Sequence, residues 1–373
     1  MGSLLLHCVG DVYASEATLR DLSCLDAARD VLRCADVRFA NLEAPLVGVG
    51  RPLFSTGVRL RMPPSARGML ELLGIDVVTL ANNHLGDYGP DGVRSTLRAL
   101  GSIRAVGAGA DAEEAARPAF LEARGLRLAF LAACDDQGGG AGSNPGVNLL
   151  RPARLIRQVR EARARADHVV VGIHTGIEFS TVPEPFFVAL AHRLVDAGAS
   201  VVAGHHPHVP QGVVSYRGGV IAYSLGDFAF DLSRDGEELS PEQRALNGLH
   251  PILEVALEKA GVAGHQVHWL RREAGRYMPA PDGPALGAKL DALASDPEAL
   301  AREAARTYGR ECFEMLYGIY SALYLAARRG EWGRLGGLAW WLPTLAREPK
   351  RRALWHGLAP ALAIAARRLR GGR

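Results

Sequence analysis

The chain has 373 residues, 48% of them hydrophobic and 22% charged, which excludes a disordered protein. With 43 Lys and Arg against 40 Asp and Glu, the net charge of +3 is too small to imply a nucleic-acid partner. The five cysteines, at 8, 24, 34, 134 and 312, show no CxxC spacing, which argues against a disulfide scaffold or zinc knuckle and for a reducing compartment.

Residues 4–9 read as a first strand running into Asp11. It starts within a few residues of Met1, so no signal peptide or membrane anchor is expected ahead of the fold. No interior run reaches the ~18 apolar residues of a membrane-spanning helix, so a cytoplasmic protein is the expectation. A helix over 15–33 and a strand over 37–40 follow, then a Gly/Pro-containing loop over 44–62. Residues 65–73 read as a helix, 75–80 as a buried strand, 90–100 as a helix and 110–117 as a short helix. Paired strands are predicted at 119–122 and 126–132, before a polar, Gly-rich loop at 135–148. Helices at 153–165 and 185–197 alternate with strands at 169–173 and 200–203. A hairpin joins 213–216 to 220–223 across Arg217-Gly218-Gly219, and strands at 252–257 and 265–271 close the series.

This alternation predicts an α/β layered domain with a mostly parallel core over residues 1–275. Residues 276–373 are Ala/Arg/Leu-rich and predict a mainly helical C-terminal extension, with helices near 286–306, 310–328 and 351–370. The last of these carries Trp355, Leu358, Leu362 and Ile364 beside Arg351, Arg352, Arg367, Arg368 and Arg370. It reads first as a packed helix with a solvated basic face, and alternatively as a peripheral contact with a membrane surface. The sequence does not set the oligomeric state.

Polar clusters stand at the ends of the apolar runs: Gly10-Asp11, Asn41-Leu42-Glu43, Asn82-Asn83-His84, His174-Thr175-Gly176 and Gly204-His205-His206-Pro207-His208. Parallel strands deliver their carboxyl ends to one sheet edge, so these distant residues can converge. Carboxylate, amide oxygen and imidazole suit a hydrolytic metal centre. Asp11 is read as a ligand rather than a helix cap, and Glu43 as a carboxylate bridging two cations. Asn83 offers a neutral oxygen. His84, adjacent and pointing elsewhere, suits substrate contact as a general acid, with Asp87 to orient it. His206 and His208 lie two apart, on the same side of an extended backbone, one for each metal. His205 is read as facing away, towards a substrate group or the backbone; the alternative is His205 in place of His206 as the ligand. Asp227 is placed either to hold a histidine in one tautomer or to cap its loop, and Asn41 to shape its turn.

These stretches, with Ala44-Pro45-Leu46, Asp87-Tyr88-Gly89, Ile177-Glu178 and Tyr223 to Phe228, resemble the CapA family of poly-γ-glutamate and capsule biosynthesis proteins. That family lies within the calcineurin-like metallophosphoesterase fold group, and the resemblance covers roughly residues 4–270. It implies a four-layer α/β/β/α sandwich. It further implies that Asp11 binds one metal, Glu43 bridges, Asn83 and His174 bind the second, His206 and His208 complete the shells, and His84 is catalytic. Two departures stand out. The phosphoesterase pattern has a histidine two residues after the first aspartate, where this chain has Tyr13, and the usual asparagine of the Ser-Leu-Gly-Asn-Phe stretch is Asp227.

Two divalent ions are therefore expected, with Mn²⁺, Fe²⁺ or Zn²⁺ suiting the mixed oxygen and nitrogen ligands and Ca²⁺ also compatible. The leading reading is metal-assisted hydrolysis of an amide or phosphoester in a peptide or glutamyl substrate, with His84 protonating the leaving group. An alternative is epimerisation at an α-carbon, with Asp11 as one proton-transfer group and His250 or His268 as the other. The third reading is a non-catalytic scaffold in polymer assembly.

Overall fold

The computed structural model describes residues 2–48, 50, 52, 58–135, 144–231, 239–304, 306 and 307. The helices predicted at 310–328 and 351–370, the basic face of the latter, and parts of the 44–62 and 135–148 loops lie outside the described residues. In chain order the strands are β1 (Leu4–Tyr13), β2 (Val37–Leu42), β3 (Val77–Thr79), β4 (Arg104–Val106), β5 (Ala108–Gly109), β6 (Ala119–Ala123), β7 (Leu126–Cys134) and β8 (Gly146–Val147). They continue with β9 (His168–His174), β10 (Val201–His205), β11 (Val213–Tyr216), β12 (Gly219–Ala222), β13 (Asp227–Phe230), β14 (Leu249–Glu258), β15 (Gly261–Glu273) and β16 (Arg276–Pro279). The helices are α1 (Glu16–Arg20), α2 (Asp26–Leu32), α3 (Arg67–Leu72), α4 (Gly89–Ala99), α5 (Ala112–Ala115), α6 (Pro152–Arg163), α7 (Pro185–Asp196), α8 (Pro241–Asn247) and α9 (Gly283–Ser295).

Two sheets carry the fold. The first runs β16-β15-β14-β1-β2-β3-β4, with β13 also paired to β1, and the second runs β11-β12-β10-β9-β7-β6. The inner strands β1 to β4 are parallel, as are β7, β9, β10 and β12, while β14 to β16, β6 and β11 are antiparallel. Strand alternation explains the layering. Leu128, Phe130, Val170, Val201, Ala203, Val220 and Ala222 share one core with Leu6, Cys8 and Phe39 of the first sheet. Their neighbours Ala129, Leu131, Val169, Val171, Val202 and Ile221 face the other way, onto Leu155, Ile156 and Val159 of α6 and Leu190 and Leu194 of α7. Both faces of these strands are buried, which is why they read as unbroken apolar runs. Ala28 and Leu32 of α2, with Met69 and Leu70 of α3, pack with the first sheet. The result is the α/β/β/α sandwich. The sheets approach closely at Gly172, where a Cβ would lie 2.9 Å from the Phe39 ring.

Several elements differ from the sequence reading. The helix predicted over 15–33 is split: Asp21 caps a 3-10 turn by accepting from Ser23 N at 3.0 Å, and α1 and α2 lie on either side. The helix predicted over 286–306 is interrupted at Asp296-Pro297, because proline removes a backbone donor and disfavours helix at the residue before it. Beyond residue 275, β16 extends the first sheet and α9 packs against β11, its Asp291 accepting from Val213 N at 2.6 Å. Among the described residues, no helix is long and apolar enough to cross a membrane.

Candidate metal centre

Both sheets contribute to one buried edge. Asp11 lies within β1, in register with Asn41 of β2 on one side and Asp227 of β13 on the other. Gly10 makes this possible: a Cβ there would fall 2.0 Å from the Gly226 carbonyl oxygen, which also accepts from Asp11 N at 2.9 Å. Gly204 plays the matching part in the second sheet, where a Cβ would meet the Tyr223 carbonyl oxygen at 2.0 Å. The segment from Tyr223 to Gly226 thus crosses between the sheets, and Leu225 N donates to Gly204 O at 3.0 Å. His174 ends β9, in register with His205 at the end of β10.

Around this edge the predicted side chains converge. Asn41 Nδ2 donates to Asp11 Oδ1 at 2.8 Å, and His206 N donates to Asp11 Oδ2 at 3.2 Å. His174 Nε2 lies 2.9 Å from Asn83 Oδ1 and 3.5 Å from Glu43 Oε1. His208 Nε2 lies 3.7 Å from that same Glu43 oxygen, while its Nδ1 sits 2.7 Å from Asp227 Oδ1. Asn247 Nδ2 donates to the other Asp227 oxygen at 2.9 Å. Ligand-type atoms of Asp11, Glu43 and His174 fall within 4.8 Å of one another, as do those of Glu43, His206 and His208. At the rim, His84 Nδ1 lies 2.9 Å from Asp87 Oδ2, an oxygen that also accepts from Leu60 N at 2.8 Å.

The electrostatics of the cluster are compatible with a cation. Asp11 and Glu43 are both fully buried, and among the described residues they form ion pairs with histidines. Burial pushes the Glu43 carboxyl well above the usual range, and the Asp11 and Asp227 charges add to the effect. Burial also opposes ionisation of Asp11, but the His205 hydrogen bond and the imidazoles of His208 and His174 hold it below the usual range. Burial, with His206 beside it, keeps His174 well below the normal imidazole value. His206 is lowered to about 4 by burial and by His208. These imidazoles are neutral near pH 7, the form that ligates metals. Among the described residues, Glu43 Oε1 is buried with no hydrogen-bond partner. An anionic oxygen in that position is costly unless a cation meets it. The donor set of carboxylate, amide oxygen and neutral imidazole offered by Asp11, Glu43, Asn83, His174, His206 and His208 is compatible with a divalent ion.

The structure corrects three sequence expectations. His206 and His208 do converge, with ring centroids 6.0 Å apart, but not by strand alternation. Their φ angles are +98° and +57°, so left-handed backbone turns aim the rings. His205 does not face away towards a substrate. It is fully buried, its Nδ1 is 3.1 Å from Asp11 Oδ1, and its ring meets Phe39 edge-on in the inter-sheet core. His205 therefore buttresses Asp11, because positions 201, 203 and 205 share the inward face. His250 is not aimed into the cluster either: its Nδ1 is 2.8 Å from the Asp227 carbonyl oxygen and its ring packs on Tyr277.

Asn41 does more than shape its turn. Besides Asp11, its Nδ2 reaches Glu43 Oε2 at 3.5 Å and His174 Nδ1 at 3.3 Å, and its Oδ1 accepts from Asn82 Nδ2 at 3.1 Å. The signal was present, since Asn41 and Glu43 are two apart and share a side of extended backbone. Asn82 does the local turn work, accepting from His84 N at 3.2 Å and Leu85 N at 2.9 Å.

Fold and site together define a two-sheet α/β sandwich protein with a buried candidate centre for divalent cations. The family model described as "Bacterial capsule synthesis protein PGA_cap" matches residues 2–232, and the chain belongs to that family. It is similar to the capsule biosynthesis protein CapA of Bacillus anthracis, at 39% identity over 167 residues, covering 42% of this chain and 41% of the relative. A probable polyglutamine synthesis accessory protein of Mycobacterium tuberculosis is 34% identical over 229 residues, covering 57% of this chain and 60% of the relative. The solved 5'-nucleotidase of Candida albicans aligns with a TM-score of 0.44 and 11% identity, over 81% of this chain and 58% of that chain. The matches span about half the length of the curated relatives.

Proposed function

We propose that this protein is a metal-dependent hydrolase acting on an amide bond of a glutamyl or peptide substrate. The observation that carries the reading is Glu43 Oε1, buried between the imidazoles of His174 and His208 and without a hydrogen-bond partner among the described residues. The relatives named for capsule and PGA biosynthesis support a glutamyl substrate class. Bound divalent metal supplies Lewis-acid polarisation and an acidified water at neutral pH.

The chain's own residues do the rest. Asp227 fixes the tautomer of His208 through Nδ1, leaving Nε2 directed at Glu43. Asn41 and His205 hold Asp11 from two sides. His84 stands at the rim with its side chain 15% exposed, and Asp87 anchors its Nδ1. That contact orients the ring and presents Nε2 to a leaving amine, which takes the proton as the C–N bond breaks. Epimerisation at an α-carbon needs a second proton-transfer group, and the Asp227 carbonyl and Tyr277 contacts of His250 favour hydrolysis over it.

The test is incubation of Mn²⁺-loaded protein with a γ-glutamyl oligomer and, separately, an aryl phosphate. New amino termini from the oligomer are the expected product. His84→Ala should lower kcat by ~10²–10⁴-fold with metal content unchanged. Phosphate release alone would move the proposal to phosphoesters, and an unchanged kcat in the variant would remove His84 as the acid.

A further inference from the structure

A second cluster lies on the first sheet and shares no residue with the centre above. Three neighbouring strands supply it, in the order β15-β14-β1. His7 of β1 is directly opposite Glu254 of β14, and His268 of β15 lies diagonally across from Glu254. His7 Nε2 is 2.9 Å and His268 Nε2 is 3.1 Å from the same oxygen, Glu254 Oε2. Gln266 Nε2 donates to the other oxygen at 2.6 Å. His7 shares its strand face with Arg38, its partner in register, opposite the face that Cys8 and Phe39 turn to the inter-sheet core.

We infer that His7, Glu254 and His268 form a zinc-type site that clips β1, β14 and β15 together. The ligand atoms lie within 4.8 Å of one another. Tetrahedral zinc with bonds near 2.0–2.1 Å sets its ligand atoms about 3.3 Å apart, so the two contacts with Oε2 need to open by only a few tenths of an ångström. Two imidazoles and one carboxylate are a common three-ligand set that leaves a fourth position for solvent. The exposure gradient suits that geometry: the His7 side chain is fully buried, Glu254 is 16% exposed and His268 33%. Burial, with His268 and Arg38 nearby, lowers the His7 pKa and keeps its ring in the neutral ligating form. Gln266 holds the carboxylate from outside, as outer partners of metal ligands do.

The test uses the untagged full chain carrying His206→Ala and His208→Ala, which disables the first centre, with Zn²⁺ alone as the probe. One equivalent of Zn²⁺ bound in equilibrium dialysis and a Zn²⁺-dependent rise in melting temperature are expected. Both should vanish on adding His268→Ala, a change at a partly exposed position that leaves the core intact. Co²⁺ in place of Zn²⁺ should give the intense visible bands of four-coordination, lost in the same variant. If the double variant does not fold, the comparison is the unsubstituted chain against His268→Ala alone, which should bind one equivalent fewer. Absence of Zn²⁺ binding by the folded double variant, or equal binding with and without His268, overturns the inference.

Discussion

Glu43 is the residue on which the centre turns, because its charge is useful only when a cation is present. In metal-free protein, burial beside Asp11 and Asp227 penalises the ionised form. A carboxyl whose folded pKa is raised contributes stability fully present below its unfolded value, ~4.3, and lost as pH climbs through the folded value. In chelator, Glu43→Gln should therefore gain melting temperature relative to the parent as pH rises above that range. The same substitution should weaken metal binding by at least ~10-fold, since even outer-sphere partners of a metal cost that much. Melting curves in chelator across pH, paired with Mn²⁺ titration calorimetry, check both halves. A variant less stable than the parent in chelator would contradict the argument. At this scale the sequence was informative about which residues gather and less so about how. Asp11, Glu43, Asn83, His174, His206 and His208 all stand after recognisable apolar runs. The left-handed turns at His206 and His208 had no glycine to announce them. The inward aim of His205 required the register of β10 against β9, which no local pattern encodes.

Elements reach the site through close backbone contacts that tolerate no side chain. Gly10 sits against Gly226, and Gly204 against Tyr223, so β13 and the crossing segment can lie flush with β1 and β10. Gly10→Ala must displace the Gly226 carbonyl, and with it Asp227, the residue that orients His208. The cost should be about 1–3 kcal/mol, the range for forcing atoms into a packed interior. Metal affinity should fall as well, because β13 moves with its carboxylate. Gly2→Ala, where nothing lies within 4 Å of the added carbon, is the neutral control. Chemical denaturation and metal titration of the three proteins test this; an unperturbed Gly10→Ala would mean that the strands are looser than they stand here. The long strands were readable because they are buried on both faces, whereas β4, β5, β8 and β13, with two to four residues each, are too short to show a period. Their pairing is imposed by the sheet edges they meet.

For the molecule as a whole, the centre joins two sheets that otherwise meet through apolar packing. Asp11 and Glu43 come from the first sheet and the strand end beside it, while His174, His206 and His208 come from the second. An ion bound by both as proposed would be absent from the unfolded chain, so its binding free energy would add to folding stability as RT ln(1 + [L]/Kd). At 100 times Kd that amounts to ~2.7 kcal/mol, and each further tenfold adds ~1.4 kcal/mol. For a domain of this size, ~1 kcal/mol corresponds to ~2–4 °C, so the first increment should raise the melting temperature by roughly 5–11 °C. Mn²⁺ is the better probe than Zn²⁺ here, because a harder, weaker-binding ion suits the carboxylate and amide oxygens of this centre more than the two-imidazole cluster on β1 and β15. Because the ligands span both sheets, hydrogen exchange should slow together in β1, β2, β9 and β10 when Mn²⁺ is added, and revert on chelation. Protection confined to one sheet would mean that the ion is held by one half of the ligand set, and the sheets would then not be coupled through it.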